Sequence, residues 1–528
     1  TFVIVAAAME MRRLGIAKKI VVGALKANIA DIKSDILKLY PTAKILFPTE
    51  KDFSPANRKK LLANIATNDY DVILLTHQNI NRIPNDPDIE TGMVQEEIDA
   101  LHDIIDSLMA EGSERTTKSL IKRLQQNIKD LEARVASIQN KSAKDKELMN
   151  WKEIGVDHMM IDESQIYKNV PFQTKLQNIA GMGNPKGSGR AFDILTKVRT
   201  IQKLYNADKG TTFLSGTPIS NSISELYLLF KVLRPTKMKE LGLNSFDAWA
   251  KTFAKNSMEV ELAVNQDFKL KNRFRTIVNA PELSKLYREI TDVRDDSNLK
   301  LDKPKGDQQL KVAQATEDQI FIFKKLAEFY SNPKNTTPLS EIGVKIKGDS
   351  DKAFGLIVST IASKASLDAR LVNPKFADDP NSKLNYAVKE ALQIYSDTTE
   401  HKGVQLIFSN LGVPRSSSEK ENIFNFLQDG QQWTREDLTR IYGESLDFKK
   451  LTPELVWGKI KAFYQESGEY SEEAVETVFD ELTTNYDQYF NFDVYNDMKQ
   501  KLIKGGVPES EIAIIHDYKT AISRQKLF

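Results

Sequence analysis

The sequence predicts an α/β protein built on parallel sheets in more than one domain. Three observations point there. Short apolar runs, "KKIVVG" (18–23), "AKILF" (43–47) and "YDVILLTHQ" (70–78), alternate with helical patterns, and that alternation marks βαβ units. The runs stay apolar along their length, as parallel strands covered on both faces do. The chain has 528 residues, too many for one hydrophobic core, so about two to four domains are expected.

Each element has its own pattern. Residues 2–14, rich in Ala and Met, read as a buried helix ahead of the first strand, and "NRKKLLANIA" (57–66) as an amphipathic helix ahead of the third. The period then changes. Ile98, Leu101, Ile105 and Leu108 are spaced three, four, three; after the polar stretch 110–117, Ile121, Leu124, Ile128, Leu131, Val135 and Ile138 are spaced three, four, three, four, three. That is a narrow coiled-coil seam with charged flanks. The simplest arrangement is an antiparallel helical hairpin inserted at 95–150, either a packing strut or an arm that grips DNA or a partner. The α/β pattern resumes at "HMMID" (158–162). "GMGNPKGSGR" (181–190) lacks the order of a phosphate loop and reads as a flexible basic loop. A helix over 191–205, a strand over 211–218 and a helix over 221–235 stopped by Pro235 complete a first domain, 1–235. Residues 236–385 read as a helical region ending in a linker-like stretch from 373. "KGVQLIFSN" (402–410) reads as a buried strand opening a second α/β domain, 386–528. Within it, 415–490 reads as a helical insertion, and 491–517 as helix, Gly-Gly turn and strand.

Composition excludes several classes. Net charge is +1, so any nucleic-acid surface has to be local. Cysteine is absent, which excludes disulfides and thiolate metal sites and fits a reducing cytoplasm. His77, His102, His158, His401 and His516 are scattered without metal-ligand spacing. No apolar run approaches the roughly 18 residues of a membrane helix. Both ends lie inside apolar patterns, so the chain reads as an internal piece of a longer protein.

Two polar strand tips are the candidates for chemistry. "HMMIDESQIYKN" (158–169) sets Asp162 and Glu163 at the end of an apolar run. The pair is either a solvated strand end or a metal-and-base pair. A nucleotide triphosphatase of the RecA-like kind needs a Gly-rich loop with Lys and Thr, an acid for magnesium and a base for the attacking water. Asp162 suits the magnesium role and Glu163 the base. "SGTP" (215–218) supplies Ser215 and Thr217, hydroxyls able to bond the acidic pair and relay the phosphate state.

"IDESQIYKN", "FLSGTPISNSISELYLLFKVL" and "YDVILLTHQNI" resemble motifs of the Swi/Snf-like branch of helicase superfamily two. The resemblance is nearest to phage and mobile-element proteins that join such a helicase to an adenine-specific DNA methyltransferase, including DarB-like antirestriction proteins. "AAAMEMRRLG", "LYPTAKILFPTEKDF", "GLNSFDAWAKTF", "VNAPELSKLYREI" and "IIHDYKT" carry it across nearly the whole chain, least over 415–490. It implies two RecA-like domains, both incomplete here, using ATP and Mg2+ to move on double-stranded DNA in the cytoplasm of a bacterial host, or carried in a phage virion, with a methyltransferase domain in the same parent chain. A phosphate loop would precede Thr1, making Thr1 a magnesium ligand. The arginine motifs of the second domain would come after residue 528, leaving this chain inactive alone. The sequence departs from the family's Asp-Glu-Ala-His box with Ser164 and Gln165; Gln165 can still bond Ser215 or Thr217. The chain carries no "NPPY" methylation motif. The resemblance also implies DNA contacts. Lys168 and Asn169 follow the box and face DNA or cap its turn. Asn221 contacts the DNA backbone or, with Ser220, caps the next helix. His77 and Gln78 sit at a strand tip, and Ser409 and Asn410 at the first strand tip of the second domain. His516 and Asp517 read as a structural pair.

Overall fold

The computed structural model describes residues 2–110, 115–144, 148–176, 179–180, 182–219, 224–262, 268–294, 306–344, 350–412, 461–462 and 492–518. It divides into two compact units, Thr1–Glu261 with Phe268–Leu301, and Leu262–Asp267 with Asp302–Phe528. The first unit therefore runs past the expected boundary at 235.

In the first unit, helix α1 (Phe2–Arg13) leads to strand β1 (Ile20–Ala24), then α2 (Ile29–Leu39), β2 (Ile45–Leu46), α3 (Pro55–Thr67) and β3 (Val72–Thr76). A one-turn helix α4 (His77–Ile80) and the long pair α5 (Pro87–Ala110) and α6 (Arg115–Lys144) precede β4 (His158–Ile161). Next come β5 (Ile179–Ala180), α7 (Gly189–Tyr205), β6 (Thr211–Phe213), α8 (Ser224–Leu233), α9 (Pro235–Glu240), α10 (Phe246–Phe253), β7 (Ala254–Leu262), β8 (Phe268–Ile277) and α11 (Ala280–Arg288).

The main sheet has the order β2-β3-β1-β4-β6, and every pairing in it is parallel. Its apolar runs are continuous because both faces are covered. Val21, Ile73, Leu75, Met159 and Ile161 point into one core with α3, α5, α7 and α8. Ile20, Val22, Ala24, Val72, Leu74 and Met160 point into the other with α1 and α2. Gly23 lets the layers close: a Cβ there would stand 2.5 Å from Ile80 Cδ1 and 2.8 Å from Ile161 Cδ1. The hairpin seam is buried at Ile98, Leu101, Ile105 and Leu108 of α5 and at Leu120, Leu124 and Ile128 of α6.

Three expectations change in this unit. The strand over 70–78 stops at Thr76, because the Thr76 hydroxyl accepts from the Asn79 backbone N–H at 3.2 Å and caps a helical turn. The loop 181–190 is pinned along its described part. Ser188 N donates to Asn169 O at 2.8 Å and Phe172 N to Pro185 O at 3.0 Å. Gly187, at φ +62°, lies so close to Pro171 that a Cβ would meet its nitrogen at 2.4 Å. The region from 236 is not purely helical: β7 and β8 join a second sheet of order β5-β8-β7. Their many charges hide an alternating strand pattern whose partner, β5, lies far back in sequence.

The second unit is helical where described. Helices α12 (Glu317–Ser331), α13 (Thr337–Glu341) and α14 (Ser350–Leu367) enclose Ile322, Leu326, Phe329, Leu339 and Val358. Helices α15 (Lys383–Thr398) and α16 (Val494–Lys504) pack through Leu384, Val388, Val494 and Met498. Buried Arg370 bonds Asp368, Asp378 and Asp497. The expected strands at 402–410 and at the end of 491–517 do not form. Lys402 takes a left-handed turn, and residues 403–409 form no regular element, with Val404 and Phe408 each 86% exposed. A strand needs a neighbour for its N–H and C=O groups, and among the described residues of this unit no segment is assigned as one. The insertion expected at 415–490 lies outside the described residues except 461–462.

Candidate functional site

β1, β4 and β6 are parallel neighbours, so the turns leaving these strands meet at one end of the sheet. Asp162 N donates to Gly23 O at 2.8 Å, which prolongs the β1–β4 ladder by one residue. Glu163 then takes a left-handed conformation, φ 51° and ψ 45°, uncommon for a residue with a Cβ and costing about 1 kcal/mol or more. The turn is held from β6, where Ser164 N donates to Leu214 O at 2.9 Å and Leu214 N to Ile161 O at 2.8 Å.

The box and the hydroxyl turn are wired together. Gln165 Nε2 donates to Glu163 Oε2. Ser215 Oγ donates to Gln165 Oε1 at 2.7 Å, and Thr217 N donates to Ser215 Oγ at 3.0 Å. The Gln165 amide thus uses one end on the carboxylate and the other on the hydroxyl, a bridge that needs no change of charge. Thr217 itself is exposed. Burial, with the charge of Glu163 beside it, raises the Asp162 carboxyl above its ordinary pKa.

Two adjacent carboxylates of this kind suit a cation. Among the described residues no Lys or Arg pairs with either, and no cluster of three or more His, Asp or Glu could hold a metal alone. That donor set fits magnesium, which is bound through one or two carboxylates together with nucleotide phosphates and water. Thr1 and Asn221 lie outside the described residues.

The residues expected to meet DNA separate into distinct settings. His77 is buried, with its Nδ1 3.1 Å from Tyr167 Oη. Burial, and then the positive Arg190, press its pKa down to about 4, so the ring is neutral at pH 7. Among the described residues its Nε2 has no hydrogen-bond partner. Gln78 is exposed. Lys168 pairs with buried Glu225 at 2.9 Å. Asn169 is exposed, and its backbone carbonyl holds the loop at Ser188. In the second unit, Ser409 Oγ donates to Leu411 O at 2.9 Å, and Asn410 is exposed. His516 stacks edge-on against Tyr495, 5.0 Å between ring centres.

Sequence reasoning missed the support behind the box. Tyr167 is buried under His77, and Arg190, 5.8 Å from the Tyr167 ring centre, donates to Ile166 O at 3.2 Å. Glu97 of the hairpin accepts from Gln173 at 3.1 Å, and Lys231 of α8 bonds both Glu97 and Pro171 O.

A parallel α/β sheet with a carboxylate pair and a hydroxyl turn at neighbouring strand ends defines a class of nucleotide-driven proteins. Within it, the chain belongs to the probable helicase domain family, which matches residues 1–295. The match ends close to the end of the first compact unit at residue 301. Membership brings helicase-type motor function, with nucleotide, magnesium and nucleic acid as its general ligands. No curated protein matches the sequence. No helix among the described residues is long and apolar enough to cross a membrane.

Proposed function

We propose that this chain carries the catalytic core of an ATP-dependent translocase on double-stranded DNA, of the Swi/Snf-like branch of helicase superfamily two. We place it in a phage, plasmid or integrated element beside a DNA methyltransferase in an antirestriction setting. One observation carries the reading: Glu163, Gln165 and Ser215 form a continuous hydrogen-bonded chain between two neighbouring strand ends. A solvated strand end needs no such wiring. Bound magnesium nucleotide supplies the phosphoanhydride to be cleaved. Asp162, with Thr1, would hold the metal. Glu163 takes the proton of the attacking water, a base whose position is fixed by Gln165. Ser215 and the Thr217 backbone carry any shift at that base toward α8 and the DNA-facing residues, for which Gln78, Asn169, Asn221, Asn410 and the paired Lys168 are candidates. His77 supports the turn from behind, and Ser409 closes its own turn on Leu411 O.

The test is ATP hydrolysis with and without duplex DNA, by the chain extended at both ends, with the phosphate loop that the resemblance puts ahead of Thr1 and the arginine motifs it puts after residue 528. Duplex should stimulate hydrolysis, and Glu163→Gln should lower the rate by about 10²–10⁴, the usual worth of a general base. An inactive protein, or a variant equal to the parent, would overturn the proposal. The second reading, a DNA- or partner-binding scaffold, would then stand. It draws on Ser164 and Gln165 replacing Ala and His in the box.

A further inference from the structure

The helical hairpin is segregated by charge. Helix α5 carries seven acidic residues and no Lys or Arg. Helix α6 carries eight Lys and Arg against two acids, and no acid lies between Arg115 and Lys129. Helices usually offset lysines with acids one turn away; within α6 neither Lys118 nor Lys122 has one, and Lys129 has only Glu132. Leu120, Leu124 and Ile128 bury the inner side of α6, while Lys118, Lys122 and Lys129 are exposed. At 3.6 residues per turn these three lysines fall within about 40° of one another, on the side away from the seam, along roughly 16 Å. None of them forms an ion pair among the described residues. On α5, exposed Glu96, Asp99, Asp103 and Asp106 repeat at three, four, three and line its outer side. The hairpin thus has one basic and one acidic edge.

We propose that the basic edge of α6 is a second nucleic-acid contact, a sequence-independent rail for a phosphate backbone, separate from the strand-tip site. It rests on the motor reading only for the nature of the partner. Three cations in line match the regular charge of a polyanion, and such contacts position a protein without reading bases. The acidic edge of α5 repels phosphate and leaves one side able to lie on it. The overall charge of +1 makes this segregation the means by which a near-neutral chain offers a basic surface. The other complementary partner is the acidic edge of a second copy. Edge-to-edge pairing of that kind is head-to-tail and builds open strings, whereas a linear polyanion needs one edge only.

The test measures binding of the full chain to a labelled random-sequence duplex at several salt concentrations, without nucleotide. The triple reversal Lys118→Glu, Lys122→Glu, Lys129→Glu should weaken binding at least about tenfold and flatten the slope of log K against log salt by about 2–3, near 0.9 per lost phosphate contact. The milder Lys→Gln set should fall between, and both should melt like the parent. Neutralising Glu96, Asp99, Asp103 and Asp106 to their amides should tighten binding. Unchanged affinity and slope in the reversal variant would overturn the proposal. So would light scattering that shows self-association lost on reversal while DNA binding persists. Because nucleotide is absent, failure of Glu163→Gln to abolish hydrolysis leaves this result untouched, so the two proposals fail separately.

Discussion

Two short runs of this chain look alike and end differently. "HMMID" and "VQLIF" (404–408) are both apolar, and each leads to a polar tip. The first is β4, buried at every residue and paired with β1 on one side and β6 on the other. The second forms no regular element and is exposed, with Leu406 at 61%. The difference teaches that apolar character nominates a strand and neighbours make one. A β4 residue buries its side chain because its backbone groups are bonded across to Ile20–Gly23 and Thr211–Phe213. Among the described residues 404–408 has no such partner, and Val404, Leu406 and Phe408 stay exposed.

The largest expected effect breaks the comparison directly. Ile161 is fully buried against the α-helical layer, so Ile161→Ala should cost about 3 kcal/mol in denaturant unfolding, from lost burial plus the cavity. Phe408→Ala, on the exposed run, should cost less than about 0.5 kcal/mol. Equal losses at the two positions would mean that 404–408 is packed in the folded protein, and the contrast would collapse.

The same contrast marks how far the sequence could be read. The α/β class, β1, β3, β4, α7, the hairpin seam and the pairing of the box with the hydroxyl turn were all legible, because each is a local period or a local chemical pattern. What was not legible depends on residues far apart. β7 and β8 need β5, which lies far earlier in the chain and pairs Ile179 with Asn272. The turn at His77 needs the Thr76 cap and the Tyr167 contact. The pinned loop at 182–190 needs the backbone of Asn169 and Pro171. Glycine read as flexibility there, when its physical use is close approach to another chain segment.

Acid sharpens the comparison next, since it strikes the sheet and not the exposed run. His77 and His158 are buried beside β3 and β4, and burial lowers both pKa values, to about 4 for His77. An unfolded His titrates near 6.5. Between about pH 6.5 and pH 4 the unfolded chain therefore binds protons that the folded chain refuses, and stability falls as pH falls. The loss from His77 should be about 2–3 kcal/mol across that window, read as a falling Tm for the first unit. His77→Gln should flatten the profile, whatever it does to stability at pH 7. A profile equally steep in that variant would remove His77 as its source.

The smallest expected effect compares the serines at the two tips. Ser215 Oγ donates to Gln165, which holds Glu163, whereas Ser409 Oγ closes its own turn on Leu411 O. Removing a hydrogen bond of either kind costs about 1 kcal/mol in stability, so stability will not tell them apart. Hydrolysis should. Ser215→Ala leaves the Gln165 carbonyl without its donor and frees the amide to turn, so Glu163 loses its fixed position. The ratio of DNA-stimulated to basal hydrolysis should fall several-fold, with KM for ATP little changed, because the base is displaced and not removed. Ser409→Ala should leave that ratio as it was. If both serines lower it alike, the hydroxyls act through general loosening of the chain, and the wiring from Ser215 to Glu163 is not what couples the tips.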